Sequence, residues 1–348
     1  MKKILLLALA LVMVLAMMTG CGGSNAPAAS AEPTAAATAE ATDAPAPATP
    51  EATQEAASYD ESNPLAAATL AGPTGMGMIQ LFGNPAYDIA LQASPDEITP
   101  KIISGEVSVA TIPSNLAAVL YNKMKGGISV VAVNTMGVLY ILENGDTVNS
   151  VEDLAGKTIY ATGQGSTPEY ALNKILSANG VENVTVEYMG AHADLAGAMA
   201  AGEVKLALLP EPFVSTVLAK NPDVAVKLDI NAEWKKIFGE DAGMPMGVTV
   251  VSNKFAANKA NMDKLIADYS ASVEYVTKDT DAAAAEIVAQ GIVGAEPIAK
   301  SAVPRCGISF ITGEQCKAIL SDYFAVMFES NPNSLGGAIP DDAIYYMP

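Results

Sequence analysis

The sequence predicts an α/β protein of two similar lobes with a ligand cleft between them. Strand-like apolar runs alternate with helix-start signals along residues 65–348, the pattern of mostly parallel sheets covered by helices. A nine-residue segment recurs: Gly105-Glu106-Val107-Ser108-Val109-Ala110-Thr111-Ile112-Pro113 matches Gly202-Glu203-Val204-Lys205-Leu206-Ala207-Leu208-Leu209-Pro210 at an offset of 97. The flanking elements repeat in the same order. Each half runs strand, Gly-rich turn, helix, strand, helix, Gly, strand, Pro, helix.

Strands are expected at 66–71, 87–92, 107–111, 128–133, 138–142, 158–161, 184–189, 206–209, 224–228 and 247–251. Ser94-Pro95-Asp96-Glu97 opens a helix with a capping Ser, Pro at its first position and an acid at its third. Ser150-Val151-Glu152-Asp153 and Ser166-Thr167-Pro168-Glu169 repeat that logic, with Glu169 expected to bond back to Ser166. Thr312-Gly313-Glu314-Gln315 opens a late helix, and 253–330 reads as mainly helical. The chain is expected to cross between lobes near 134–137 and 246–251, so 65–136 with 252–348 forms lobe 1 and 137–251 forms lobe 2.

Ahead of the lobes lies an address. Lys2 and Lys3 precede an uncharged apolar run at 4–18, too short to span a bilayer, which needs ~20 residues, but right for a signal peptide over residues 1–20. Met18-Thr19-Gly20-Cys21 resembles a bacterial lipobox, in which the Cys is diacylated and becomes the mature N-terminus. The ordinary signal peptide with an incidental Cys is the alternative. Residues 22–64 hold seven acids, no base and no Leu, Ile, Val or Phe. Such a segment cannot bury enough apolar surface to offset ordering entropy and self-repels. It is expected to be disordered over 21–64, either a spacer that lifts the body off the membrane or a tolerated low-complexity insert.

Composition removes several functions. Nineteen Lys and Arg stand against 38 Asp and Glu, for a net charge of −19, and a general nucleic-acid binder needs a basic face. One His and three Cys are too few for zinc fingers, haem or iron–sulfur clusters. No cofactor, metal or nucleic-acid partner is expected.

Ligands of open parallel sheets bind beyond the carboxyl ends of strands. Here those loops hold Gly72-Pro73-Thr74-Gly75-Met76, Pro113-Ser114-Asn115, Gly163-Gln164-Gly165-Ser166-Thr167-Pro168 and Pro210-Glu211-Pro212. With the lipobox, Ala110-Thr111-Ile112-Pro113-Ser114-Asn115 and Leu209-Pro210-Glu211-Pro212-Phe213, they resemble the periplasmic-binding-protein type II solute receptors of ABC importers, in the nitrate/sulfonate/taurine and thiamine-precursor branch. The resemblance covers roughly the whole body. It implies a non-enzymatic lipoprotein outside the membrane, captured solute in the cleft, and delivery to a permease and its ATPase. The alternatives are a sensory or adhesion lipoprotein using the same cleft, or a thiamine-pyrimidine synthase, whose Cys-rich motif this chain lacks.

The candidate ligand contacts are Pro73, Thr74, Gly75, Met76, Ser114, Asn115, Thr135, Met136, Gln164, Gly165, Ser166, Thr167 and Glu211. Each has a plainer reading. The Gly72 loop is also an ordinary turn, and Ser114, Asn115 and Ser166 are also helix caps. Glu211, placed before Pro212, is either a solvated corner residue or an anchor for an amine or ring N–H. None of the four loops contains Lys or Arg, which favours a neutral, zwitterionic or aromatic solute. Tyr87, Tyr121, Tyr140, Tyr160 and Tyr170 supply either a stacking face or core. His192 is read as a surface or capping residue. Cys306 and Cys316 form a disulfide or remain two buried thiols.

Overall fold

A computed structural model describes residues 59–348. The expected signal segment, the expected lipidation site Cys21 and the expected tether as far as residue 58 lie outside the described residues. The tether expected to run to residue 64 ends earlier. Tyr59 is only 4% exposed and packs on Tyr87 and Phe255, while Asp60 accepts from the Ser62 and Asn63 N–H groups in a tight turn. The Tyr59 ring, its hydroxyl on Tyr87 and its N–H donating to Asn261 Oδ1 hold this stretch against the body.

Lobe 1 begins with β1 (Leu65–Leu70), α1 (Pro73–Gly77), α2 (Ile79–Phe82), β2 (Tyr87–Gln92), α3 (Pro95–Ser104), β3 (Val109–Pro113), α4 (Ser114–Lys123) and β4 (Ile128–Met136). Lobe 2 follows with β5 (Leu139–Asn144), β6 (Thr158–Ala161), α5 (Thr167–Ala178), β7 (Thr185–Tyr188), α6 (His192–Ala200), β8 (Leu206–Pro210), α7 (Phe213–Lys220), β9 (Val224–Asp229) and α8 (Ile230–Phe238). The chain returns through β10 (Pro245–Ser252), α9 (Asn253–Ala256), α10 (Lys259–Lys278), α11 (Thr280–Ala289), α12 (Glu296–Ala302), β11 (Ile308–Thr312) and α13 (Gly313–Ser330).

The two sheets repeat one plan. Lobe 1 is ordered β11-β4-β10-β3-β1-β2 and lobe 2 is ordered β7-β6-β8-β5-β9. In lobe 1, β1 pairs parallel with β2 and β3, and in lobe 2, β6 pairs parallel with β7 and β8. A strand arriving from the other crossing inserts antiparallel beside the last of each three: β10 against β3 and β4, β5 against β8 and β9. Both faces of each sheet are covered, as parallel strands require. In lobe 2, Ile141, Ile159 and Leu208 join one core and Leu142, Ala207 and Leu209 the other. In lobe 1, Val130, Val248 and Val250 face one core and Val131, Val251 and Val109 the other, beneath Tyr269 of α10.

Four expectations change. β10 belongs to the lobe 1 sheet, so lobe 2 closes before Pro245 rather than at 251, and the second crossing is 239–244. The first crossing is the Gly137-Val138 pair between β4 and β5. A Cβ on Gly137 would stand 2.1 Å from the Asn231 Cβ, so α8 can approach this crossing only because the residue is glycine. The region read as mainly helical contains β11, an edge strand on β4. The Ser150 signal yields only a 3-10 turn, Glu152–Leu154, although the Asp153 carboxylate accepts from the Asn149 and Ser150 N–H groups as a capping acid does.

The Cys306–Cys316 bridge is not formed. Both thiols are free and buried. Cys306 lies with Met76 and Val303 in one core, Cys316 with Leu320 in another. The strand β11 runs between them, and five extended residues advance ~16 Å, far past the ~7 Å Cα separation that a disulfide tolerates. Burial raises both thiol pKa values, that of Cys316 to about 12, so neither is a ready nucleophile. Alkylation without reductant should leave both unlabelled in the folded protein and label both after unfolding. A disulfide-linked Cys306–Cys316 peptide in the digest would contradict the separation.

Candidate functional site

The carboxyl ends of β1, β3, β6 and β8 turn toward one another and enclose a cleft of two joined chambers. The larger is about 390 Å³, lined by Asn115 and Leu116 of α4 and by Leu139, Ser166, Thr167 and Pro168 across from them. The smaller is about 190 Å³, lined by Pro73, Thr74, Thr135 and Gly247 from lobe 1 and by Val138, Glu211 and Phe213 from lobe 2. Pro113, His192, Pro210 and Met246 line both and form the waist. The walls are mostly apolar, and no Lys or Arg lines either chamber.

The repeat explains this arrangement. The offset of 97 read from the sequence carries Pro113 onto Pro210, Leu116 onto Phe213 and Pro95 onto His192. All six residues line the cleft. Each pair occupies the same strand-to-helix corner in its own lobe, β3–α4 with β8–α7 and β2–α3 with β7–α6, so facing copies of two corners build the site.

The predicted residues divide. Pro73, Thr74 and Thr135 reach the smaller chamber, and Asn115, Ser166 and Thr167 the larger. Gly75 and Met76 face away from it. A Cβ on Gly75 would meet the Leu70 carbonyl at 2.7 Å, and Met76 is core beside Ile79 and Cys306. Ser114 is buried and donates to the Pro245 carbonyl, so it ties α4 to β10 instead of facing solute. Met136 lines a separate cavity of about 460 Å³ beside Asn231 and Gln315. Gln164 and Gly165 line another of about 510 Å³ with Tyr170 and Asn331.

Several hydroxyls are already engaged. Ser166 Oγ donates to the Gly163 carbonyl at 2.6 Å, which holds the Gly-rich turn. Gly163 has φ 75° and an added Cβ would meet Ser166 Oγ at 2.8 Å, so this turn requires glycine twice over. Glu169 accepts from the Gly165 N–H rather than from Ser166. Thr167 Oγ1 accepts from Tyr323 of α13 at 2.9 Å.

Glu211 does not present a free carboxylate. It is 2% exposed. Its Oε1 accepts from Arg305 Nε at 2.6 Å and from Ser215 Oγ at 3.0 Å, and its Oε2 from the Ser215 N–H at 3.0 Å. Arg305 precedes β11 of lobe 1, so this pair clasps the lobes. Its Nη2 also donates to Ser215 and Ser301, and its carbonyl accepts from Tyr140 of lobe 2 at 3.0 Å. Farther out, Asn331 donates to Tyr170 at 2.7 Å and Lys174 pairs with Glu329 at 3.2 Å. The expected anchor for an amine is therefore an interlobe clasp: the nearest guanidinium already satisfies the charge.

His192 carries the feature that sequence reading missed. Its ring lines both chambers, stacks at 5.3 Å and 39° on Phe213, and bonds through Nδ1 with the Thr162 hydroxyl. Burial lowers its pKa, so the imidazole is neutral at pH 7. None of the five Tyr candidates lines either chamber. Tyr87 pairs with Tyr59 and Asp268, Tyr121 with Asp341, and Tyr140 with the Arg305 carbonyl. The aromatic wall is His192 with Phe213.

Burial also raises the Glu211 pKa, although Arg305 and Ser215 oppose it. An acid whose folded pKa lies above its unfolded value destabilises the fold once pH rises through the carboxylate range. Arg305→Ala strands that carboxylate, and breaking a buried pair costs ~3–5 kcal/mol. Urea unfolding should show a loss of about that size at pH 7, shrinking toward pH 4 as Glu211 protonates. An equal loss at both pH values would contradict the clasp.

Against known proteins, a family model described as "Menaquinone biosynthesis" matches residues 78–325. No curated protein sequence matches the chain. Among solved structures, an ABC transporter protein from Parabacteroides distasonis is similar with a TM-score of 0.71 and 20% identity, over 81% of this chain and 98% of that one. The periplasmic aliphatic sulphonate binding protein SsuA of Escherichia coli follows with TM-score 0.61 and 15% identity, covering 80% and 92%. A putative sulfonate-binding SsuA of Methylobacillus flagellatus gives 0.59 and 17%, covering 83% and 92%. The fold is that of the periplasmic binding proteins.

Proposed function

This chain belongs to the menaquinone-biosynthesis family, and within that family we propose that it is a solute receptor rather than an enzyme. It captures a small organic solute between its lobes and hands it to an ABC permease and ATPase. It works outside the cytoplasm, held to the bacterial cell membrane by acyl chains on Cys21. More than one chain is needed for stable anchoring, at ~0.8 kcal/mol per buried methylene.

The observation that carries the reading is the cleft. Its walls come from both lobes, and the chain passes between the lobes only twice. A solute touching both walls stabilises the closed arrangement by its differential affinity for it. Pro73, Thr74, Asn115, Thr135, Ser166 and Thr167 are proposed contacts, joined by His192 and Phe213. The lining has no cation, which favours a neutral, zwitterionic or aromatic solute. The proteins of similar fold support this reading, since they include an ABC-transporter protein and sulfonate-binding proteins.

The family description favours a second reading, an enzyme that transforms a menaquinone precursor in the same cleft. The two separate cleanly. Compounds released from the purified full chain by denaturation would be identified by mass spectrometry and added back. The receptor raises its melting temperature, by ~2.7 kcal/mol of stability at 100 times Kd, and returns the compound unchanged. Asn115→Trp, which fills the larger chamber from a half-buried position, should abolish the rise. Time-dependent conversion of the compound would establish the enzyme instead.

A further inference from the structure

We propose that His192, held by Thr162 as the uncharged Nε2–H tautomer, selects the solute: an uncharged molecule with a planar face against the His192–Phe213 wall and a carbonyl-type oxygen that accepts from Nε2–H. This deepens the solute-receptor reading and rests on it.

The tautomer follows from Thr162. This residue directly follows β6 and is 2% exposed, and its Oγ1 has one side-chain partner, His192 Nδ1. If Nδ1 carried the hydrogen, the Thr162 O–H would be buried without an acceptor. A spare lone pair costs less than a spare buried donor. Thr162 therefore donates, Nδ1 accepts, and the ring hydrogen sits on Nε2. No protein group bonds Nε2, which is not among the fully buried orphan atoms, so it meets the space that the ring lines.

Charge selects in the same direction. The lobe 1 side of the waist is Pro113 and Met246, with no cation. On the elements against the imidazole, the acids are Asp194, exposed on α6 itself, and Glu211, which Arg305 neutralises. The end of β6 adds none. An anion would need a protonated imidazole, which burial opposes. A cation would meet only apolar walls and a carboxylate already paired. The ring pair at 5.3 Å offers a flat face to an aromatic or conjugated group.

His192 is the chain's one histidine, so its imidazole gives a single set of nitrogen signals. Long-range proton–nitrogen spectra of the full chain should show Nε2 protonated and Nδ1 bare, with titration below the ~6.5 of a free imidazole. Thr162→Val should populate the other tautomer. Calorimetry with benzamide, benzenesulfonate and benzamidine as probes should rank benzamide at least ten-fold tighter, with its binding moving the Nε2 signal. His192→Phe should erase the carbonyl preference while keeping the stacking wall. An Nδ1–H tautomer in the parent protein, or benzenesulfonate binding as tightly as benzamide, would overturn this inference alone. The expected tautomer with none of the three probes bound, and no released compound raising the melting temperature, would overturn the receptor reading beneath it.

Discussion

The buried pair of Glu211 with Arg305 sets the state of the cleft. A carboxylate taken fully out of water costs several kcal/mol unless charge and hydrogen bonds replace its hydration. Here Arg305 and Ser215 supply three of those bonds. The acid comes from the β8–α7 corner of lobe 2 and the base from the approach to β11 in lobe 1, so the carboxylate keeps its counter-charge only while the lobes touch. The pair also consumes the guanidinium closest to the smaller chamber. That one interaction leaves the cleft without an available cation and fixes the corner from which Phe213 meets His192.

The site is otherwise a product of duplication. Two copies of one α/β plan face each other, and the same two corners in each supply a proline with an apolar or aromatic side chain and the first residue of a helix. Duplication explains why the lining comes in pairs related by one sequence offset. It also explains where the copies diverge. Where lobe 1 has Pro95, lobe 2 has His192; where lobe 1 has Leu116, lobe 2 has Phe213. The polar and aromatic character of the waist lies in lobe 2, and lobe 1 contributes a mostly apolar counter-face.

Much of this was legible in the residues. The alternation of strands and helices and the recurring segment predict both lobes, and β2 and β6 fall where the pattern places them. Local signals give no account of partners chosen at long range. Residues 247–251 read correctly as strand, but nothing in them says that they insert between β3 and β4. β11 is short, lies at the sheet edge and is flanked by helices, so it leaves little trace. Glu211 was singled out, yet its partner lies 94 residues away, beyond any local pattern. His192 reads as a surface or capping residue, but Ala191 holds the cap position and His192 is the first residue of α6. Its place in the cleft follows only when the offset is carried through to Pro95.

The central claim is that two lobes close on one guest, with the clasp holding the closed arrangement. Spin labels on Glu106→Cys in lobe 1 and Glu187→Cys in lobe 2, both exposed, report the interlobe distance by pulsed dipolar spectroscopy. The account predicts one short, narrow distribution for the parent chain and a longer, broader one with Arg305→Ala, which a bound solute narrows again. Identical distributions in all three samples would show lobes that do not move, and would contradict it.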